Sequence, residues 1–169
     1  MLPPPVPWLS GSCGFAEMVR YTTCPSPFGT LLIGFEENSV VSLKLGSIGF
    51  LPPGSCTAAE LAAEQLQAYF AGIRKIFTFP IKLQGTPFQI SVWEELTKIP
   101  YGCTVTYKDI ATAIGNEKAV RAVGMACNRN PIWIAIPCHR VVGTNRKLTG
   151  YAGGLSMKES LLTLEITNI

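Results

Sequence analysis

Two kinds of residue pattern meet near position 87, and a chain that changes pattern there must build two differently made layers. Before that point, residues 15–23 (FAEMVRYTT), 28–35 (FGTLLIGF) and 38–46 (NSVVSLKLG) are short runs rich in β-branched and aromatic residues. Turn formers separate them at residues 25–27 and at Glu37 and Asn38, which predicts an antiparallel meander. Residues 47–56 read as a loop. Thr57, with Glu60 three positions on, predicts a capped helix to about Gly72. Leu61, Gln65, Leu66, Tyr69 and Phe70 fall near one stripe of it. Residues 77–86 contain Pro80 and read as an extended connector. After it, residues 87–98 begin with proline and place Phe88, Val92, Trp93 and Leu96 at helical spacing. The expected chain is α+β: an N-terminal lobe over residues 1–80, a linker over 81–86 and a mostly helical lobe over 87–169.

The helical half contains a second pattern. Thr106 caps residues 107–114, with Asp109 three positions after the cap. Gly115 and Asn116 break that helix, and residues 117–127 form the next. Helix, glycine-containing turn, helix is the helix-turn-helix arrangement, which serves structure as well as DNA binding. On the second helix Ala119, Ala122 and Ala126 run along one side, with Arg121 on the same surface. Small side chains there suit either tight helix packing or close approach to a groove.

Charge separates the halves further. The 14 basic and 11 acidic residues give a net +3. Residues 1–85 are balanced, so the whole excess lies after residue 85, and from Lys118 to Lys158 there are seven basic residues and no acid. Such a block suits a polyanion, or a solvated face. No apolar run approaches the roughly 20 residues a membrane span needs. The start, MLPPPVPWLS, lacks a basic region and is broken by prolines, so no signal peptide is expected. The six cysteines (13, 24, 56, 103, 127, 138) form no CxxC pair, which favours reduced thiols in a cytosolic setting.

With one histidine in the chain, any imidazole chemistry must fall at His139. Residues 130–142 read NPIWIAIPCHRVV, an apolar run expected to be extended that ends at Pro137, Cys138 and His139. Pro137 fixes its own φ and presents the cysteine at a rigid point. A thiol reacts as thiolate and needs a proton acceptor or positive charge nearby. A buried, inert thiol is the competing reading. Side chains of extended neighbours point apart, so a direct Cys138–His139 bond needs a tight turn or a bridging water.

The string IPCHRVV at residues 136–142 resembles the active-site signature of the O6-alkylguanine-DNA alkyltransferases. The resemblance covers most of residues 65–165. It includes YFAG at 69–72, GTPFQ…VW at 85–93, IPYG at 99–102, KAVRAVG at 118–124, NP at 130–131, GYAGGL at 150–155 and LLTLE at 161–165. It implies irreversible, one-turnover transfer of a methyl or larger alkyl group from O6 of guanine, less readily from O4 of thymine, to Cys138, with no cofactor. By resemblance His139 acts on Cys138 through a water, Glu165 orients His139, and Asn130 holds the turn. Tyr107, assisted by Lys158, donates a proton to the base. The carbonyls of Cys138 and Val141 read the exocyclic amine, and Tyr151, Ala152 and Gly153 line the base site. Ala152 stands where serine is frequent in the family.

The same resemblance implies binding to the minor groove of double-stranded DNA containing O6-alkylguanine, with the damaged nucleotide flipped out and Arg121 in its place. Ala119, Ala122, Lys118, Arg129 and Arg140 belong to that DNA face, and Arg146 and Lys147 to phosphate contacts. Arg146 stands in the loop over 143–150 where relatives frequently have glycine. Some relatives hold zinc in the N-terminal lobe. Cys13, Cys24 and Cys56, without a histidine there, make no metal the expectation. A cytoplasmic monomer is expected, nuclear in a eukaryotic source. The rivals are a non-catalytic alkyltransferase-like lesion binder, an unrelated Cys–His hydrolase, and a helix-turn-helix regulator with an inert cysteine.

Overall fold

The computed structural model describes residues 18–169. The N-terminal lobe is a sheet of β1 (Arg20–Ser26), β2 (Gly29–Glu36) and β3 (Ser39–Leu45), antiparallel and in sequence order. The expected first strand began at residue 15; residues 15–17 lie outside the described residues, as does Cys13. Pro25 sits inside β1 rather than in a turn. β1 is an edge strand, where a missing backbone N–H can be tolerated. The second turn falls at Glu37 and Asn38, with Glu37 at φ +49°.

Helix α1 (Thr57–Phe70) lies across all three strands. Its cap is Cys56 rather than Thr57: the Cys56 Sγ accepts from the Ala59 N–H at 3.4 Å. Glu60 instead accepts from the Ser55 hydroxyl at 2.6 Å. Ala58, Ala59 and Ala62 bring the helix close to the sheet, and Leu66 and Tyr69 are fully buried, while Leu61 and Phe70 are only half-buried.

The second half follows its caps. α2 (Pro87–Leu96) has a capping box of Thr86 and Gln89, and α3 (Tyr107–Ala113) one of Thr106 and Asp109. Each satisfies two backbone donors that a helix start otherwise leaves open. Gly115, at φ +76°, closes the turn after α3. The next helix is not continuous from 117: one 3-10 turn (Glu117–Ala119) precedes α4 (Val120–Asn128). α4 packs on α2 and α3. Helical spacing turns Val123, Ala126 and Cys127 inward, and the Trp93 indole donates to the Ala126 carbonyl at 2.9 Å. Ala126 is thus core, at 2 % exposure, and Met125, at 58 %, faces out. β4 (Val105–Thr106) pairs in parallel with β5 (Val141–Val142), and α5 (Leu155–Thr167) closes the chain.

The connector is not a free linker. The outer edge of β3 would leave backbone groups unpaired, and two later segments take them. Val40 donates to the Pro80 carbonyl at 2.9 Å and accepts from Lys82 N–H at 3.0 Å. Leu43 donates to the Pro131 carbonyl at 2.8 Å and accepts from Trp133 N–H at 2.9 Å. The second pair docks the 130–142 segment directly on the sheet. One apolar core runs from the sheet through α1 to α2, α4 and α5. Among the described residues no helix is long and apolar enough to cross a membrane.

Candidate active site

Residues 132–136 were expected to be extended, but they fold into a tight turn. After Ile132 pairs with Leu43, the Ile136 N–H returns to the Ile132 carbonyl at 3.1 Å. Buried Ile134 has φ +70°, a region that costs a branched residue about 1–2 kcal/mol. Asn130 supplies the opposing bonds. Its Oδ1 accepts from Ile132 N–H at 3.0 Å. Its Nδ2 donates to the Ile136 carbonyl at 2.8 Å and approaches Cys138 Sγ at 3.1 Å. One 3-10 turn (Cys138–Arg140) follows Pro137.

Cys138 and His139 are both buried. Burial pushes the Cys138 thiol up to about 11, against the Asn130 hydrogen bond and the Lys158 charge, which lower it. Burial also lowers His139, more than its hydrogen bond and attraction to Glu165 raise it. His139 is therefore neutral. Its Nε2 lies 2.7 Å from Glu165 Oε1. The carboxylate is the acceptor, so the proton is on Nε2 and the lone pair on Nδ1. Nδ1 is buried with no hydrogen-bond partner on the protein.

Glu165 is the hub. Its Oε1 accepts from His139, from Arg140 Nη2 at 2.9 Å and from the Tyr69 hydroxyl at 2.7 Å. Its Oε2 accepts from Arg140 Nε at 2.9 Å and from Gly102 N–H at 3.0 Å. Burial works against the charge, but the His139 and Arg140 bonds outweigh it and hold the carboxyl at about 2. Arg140, expected on the DNA face, is buried and spends its guanidinium on Glu165 and the Ile99 carbonyl at 2.6 Å. That assignment is corrected: Arg140 is a partner of the carboxylate.

Lys158 is also buried. Its Nζ donates to the carbonyls of Val141 at 2.6 Å and Thr149 at 2.8 Å, and lies 5.8 Å from the Tyr107 ring centre. The Tyr107 hydroxyl donates to the same Thr149 carbonyl at 3.1 Å. The Tyr151 ring lies 5.9 Å from that of Trp133, and its hydroxyl is buried with no partner on the protein. Gly153 has no room for a side chain, since a Cβ would lie 2.6 Å from Met157 Sδ and 2.9 Å from the Tyr151 ring. Ala152 is exposed.

On the outer face of α4, Arg121, Ala122 and Met125 are exposed, as is Arg129 at its C-cap, with Lys118 just before the helix and Ala119 half-buried. Arg146 is exposed at φ +62°, in the loop where its identity was noted as unusual. Two groups of the hub were not assigned from sequence: Tyr69 and the Gly102 N–H. A tyrosine on a buried helix stripe needs a partner for its hydroxyl, and that was the available signal for Tyr69. Cys24 and Cys56 do not converge: Cys24 Sγ lies 3.1 Å from the Gln67 amide, while Cys56 caps α1.

Fold and site together define a two-lobed α+β protein in which a buried thiol–imidazole–carboxylate set lies behind a helix-turn-helix. Residues 87–167 match the family model described as 6-O-methylguanine DNA methyltransferase, DNA binding domain, and residues 19–83 match its ribonuclease-like domain. The chain belongs to the 6-O-methylguanine DNA methyltransferase family. It is 50 % identical over 151 residues (86 % of this chain, 97 % of the relative) to the methylated-DNA–protein-cysteine methyltransferase of Methanosarcina acetivorans. It is 46 % identical over 159 residues (88 % and 96 %) to the constitutive enzyme of that name from Bacillus subtilis. The crystal structure of Mycobacterium tuberculosis OGT in complex with DNA superimposes with a TM-score of 0.83 at 43 % identity, covering 89 % of this chain and 94 % of that one.

Proposed function

We propose that the protein repairs DNA by moving an alkyl group from O6 of guanine, less readily from O4 of thymine, onto Cys138, once per molecule. The observation that carries this reading is the buried set itself: a protonated Cys138 thiol beside a neutral His139 whose Nδ1 lone pair is free and whose Nε2 proton is held by Glu165. His139 takes the Cys138 proton through a bridging water, and the thiolate attacks the alkyl carbon. The carbon–O6 bond breaks, its electrons pass into the purine, and Tyr107 delivers a proton to N3. S-alkyl cysteine and neutral guanine result, and no cofactor takes part.

The other residues serve that step. Asn130 holds the turn that carries the thiol. Lys158 draws electron density from the carbonyl that Tyr107 shares with it. The carbonyls of Cys138 and Val141 accept from the exocyclic amine; Val141 already accepts from Lys158, and a carbonyl has a second lone pair. Tyr151, Ala152 and Gly153 line the base. The target carbon is unreachable inside a duplex, so the nucleotide flips at a cost of a few kcal/mol. Arg121 fills the gap, while Ala119 and Ala122 allow close approach to the minor groove. Lys118 and Arg129 meet phosphates. The lobe over 87–169 performs the chemistry, the lobe over 1–80 supports it, and 81–86 joins them. The protein acts as a cytoplasmic monomer, or in the nucleus in a eukaryote.

The test uses duplex DNA with one O6-methylguanine. After digestion the Cys138 peptide should gain one methylene, about 14 Da, at one-to-one stoichiometry. Repeated turnover would point to a hydrolase, and an unmodified Cys138 to a lesion binder. Cys138→Ser should lose transfer and keep DNA binding.

A further inference from the structure

We propose that Tyr69 of the N-terminal lobe is a positioning residue for the transfer: by donating to the same Glu165 oxygen as His139, it limits how strongly the carboxylate draws on the imidazole proton, and so tunes the base that activates Cys138. This rests on the transfer reading above and gives the sheet lobe a part in the chemistry.

The geometry is specific. Glu165 Oε1 has three donors: His139 Nε2 at 2.7 Å, the Tyr69 hydroxyl at 2.7 Å and Arg140 Nη2 at 2.9 Å. Donors on one oxygen compete for its charge, so each weakens the others' hold. Tyr69 and Glu165 are both fully buried, so water neither replaces nor screens the contact. Burial and the neighbouring carboxylate keep the phenol protonated, so it donates at every working pH. The ring is fixed edge-on against Phe70 and Tyr101 and tilted against Phe77. α1, which carries Tyr69, lies on the sheet whose β3 edge binds the active-site segment at Leu43. The lobe thus grips both the turn that carries the thiol and the carboxylate behind the imidazole.

The charged and titratable groups facing His139 and Glu165 are Tyr69 from α1, Tyr101 from the loop after α2, Arg140 from the 3-10 turn and Lys158 from α5. Of these, only Tyr69 joins the carboxylate to the sheet lobe by a side-chain hydrogen bond. Removing its hydroxyl frees Oε1 to pull harder on the His139 proton. The imidazole becomes more basic.

His139 is the chain's single histidine, so its ring-nitrogen NMR signals need no assignment by mutation. In the parent protein they should report the Nε2–H tautomer. In Tyr69→Phe the His139 titration and the acidic limb of the transfer-rate profile should both move up by about half a pH unit. The transfer rate above that limb should rise about twofold, as expected of a slightly stronger general base. Tyr69 replaced by 3-fluorotyrosine, a stronger donor, should move the titration the other way; this second variant keeps the hydroxyl if Tyr69→Phe folds poorly. A merely structural role would lower the melting temperature and leave both profiles in place, and that result overturns the proposal, as does an Nδ1–H tautomer in the parent. If the parent transfers no alkyl group, the functional reading fails instead, while the histidine titration still decides the role of Tyr69.

Discussion

The set around Glu165 and the outer face of α4 solve opposite problems. The first hides a thiol, an imidazole, a carboxylate and a guanidinium from water. It does so by giving the carboxylate five protein donors from four residues in three parts of the chain. The second leaves Arg121, Ala122, Met125 and Arg129 exposed. No hydrogen bond or ion pair joins the Arg121 side chain to another described residue. Buried polar groups are costly unless every bond is made, so the first region is bound to the stability of the whole fold. The second is not, and its residues are free to serve a partner. Breaking the first should harm folding before function; breaking the second should harm function alone.

The sharpest test is Glu165→Leu. It leaves Arg140 and His139 buried without their acceptor, and loss of one partner of a buried pair costs about 3–5 kcal/mol. Urea unfolding should show that loss or an unfolded chain. A loss under about 1 kcal/mol would mean that the network is incidental to the fold.

Acid probes the same region more gently. His139 is held below its unfolded value of 6.5, chiefly by burial. Below pH 6.5 the unfolded chain therefore takes up a proton that the folded one refuses, and stability falls with pH. The loss reaches up to about 2 kcal/mol at pH 5. Glu165, depressed to about 2, keeps its contribution until the pH drops below its unfolded value of 4.5, so the two are separable. Denaturation midpoints between pH 7.5 and 5 should trace the decline; a flat curve would mean that folded His139 takes up its proton as readily as the unfolded chain, and a rise toward acid would place a charged His139 in the folded protein.

On the other side of the comparison, Arg121→Ala should change stability by less than about 0.5 kcal/mol. Transfer from duplex DNA should drop roughly tenfold, because only a stacked base needs flipping. Reaction with a free guanine analogue should be unchanged, and equal losses on both substrates would remove the arginine from the flipping step.

The same contrast explains what the sequence disclosed. The capping box of α3 is local, with both partners within three residues, and was legible at once; for α2 only the proline start was read, and the box of Thr86 and Gln89 was not. The turn at Glu37 and the exposed Arg121 were legible for the same reason. The hub was not: Tyr69 meets Glu165 across 96 positions and Arg140 meets it across 25. Arg140 lies in a block of basic residues and looked like one more DNA contact, because charge alone does not tell which cation has a buried partner. Residues 132–136 are mostly β-branched and read as extended, but bonds from Asn130 pull them into a turn. α5 carries Lys158 and Glu165 on its buried face. Two charges there cancel the apolar periodicity that marks a helix, and no side chain caps its start. Cys56 was passed over as a cap because cysteine is not among the usual capping residues. The pairing of His139 with Glu165 was available only through family resemblance.

Arg146 carries the smallest and most divided effect. Its φ of +62° is a conformation that disfavours a side chain by about 1–2 kcal/mol. Glycine relieves that strain but adds about 0.4–1 kcal/mol of unfolded-chain entropy. Its bond to Thr104 Oγ1 is long, at 3.4 Å and exposed, and adds little. Arg146→Gly should therefore raise stability by about 0.5–1 kcal/mol. If the guanidinium neutralises one phosphate, the same change should reduce the salt slope of DNA binding by about 0.9. Arg146→Asn separates the two, since asparagine tolerates the left-handed region and carries no charge. An equal fall in salt slope for both variants, with different gains in stability, would mean that this arginine is kept for its charge at the expense of its backbone. A salt slope unchanged in both would take the loop over 143–150 out of the DNA face and leave α4 to hold the duplex.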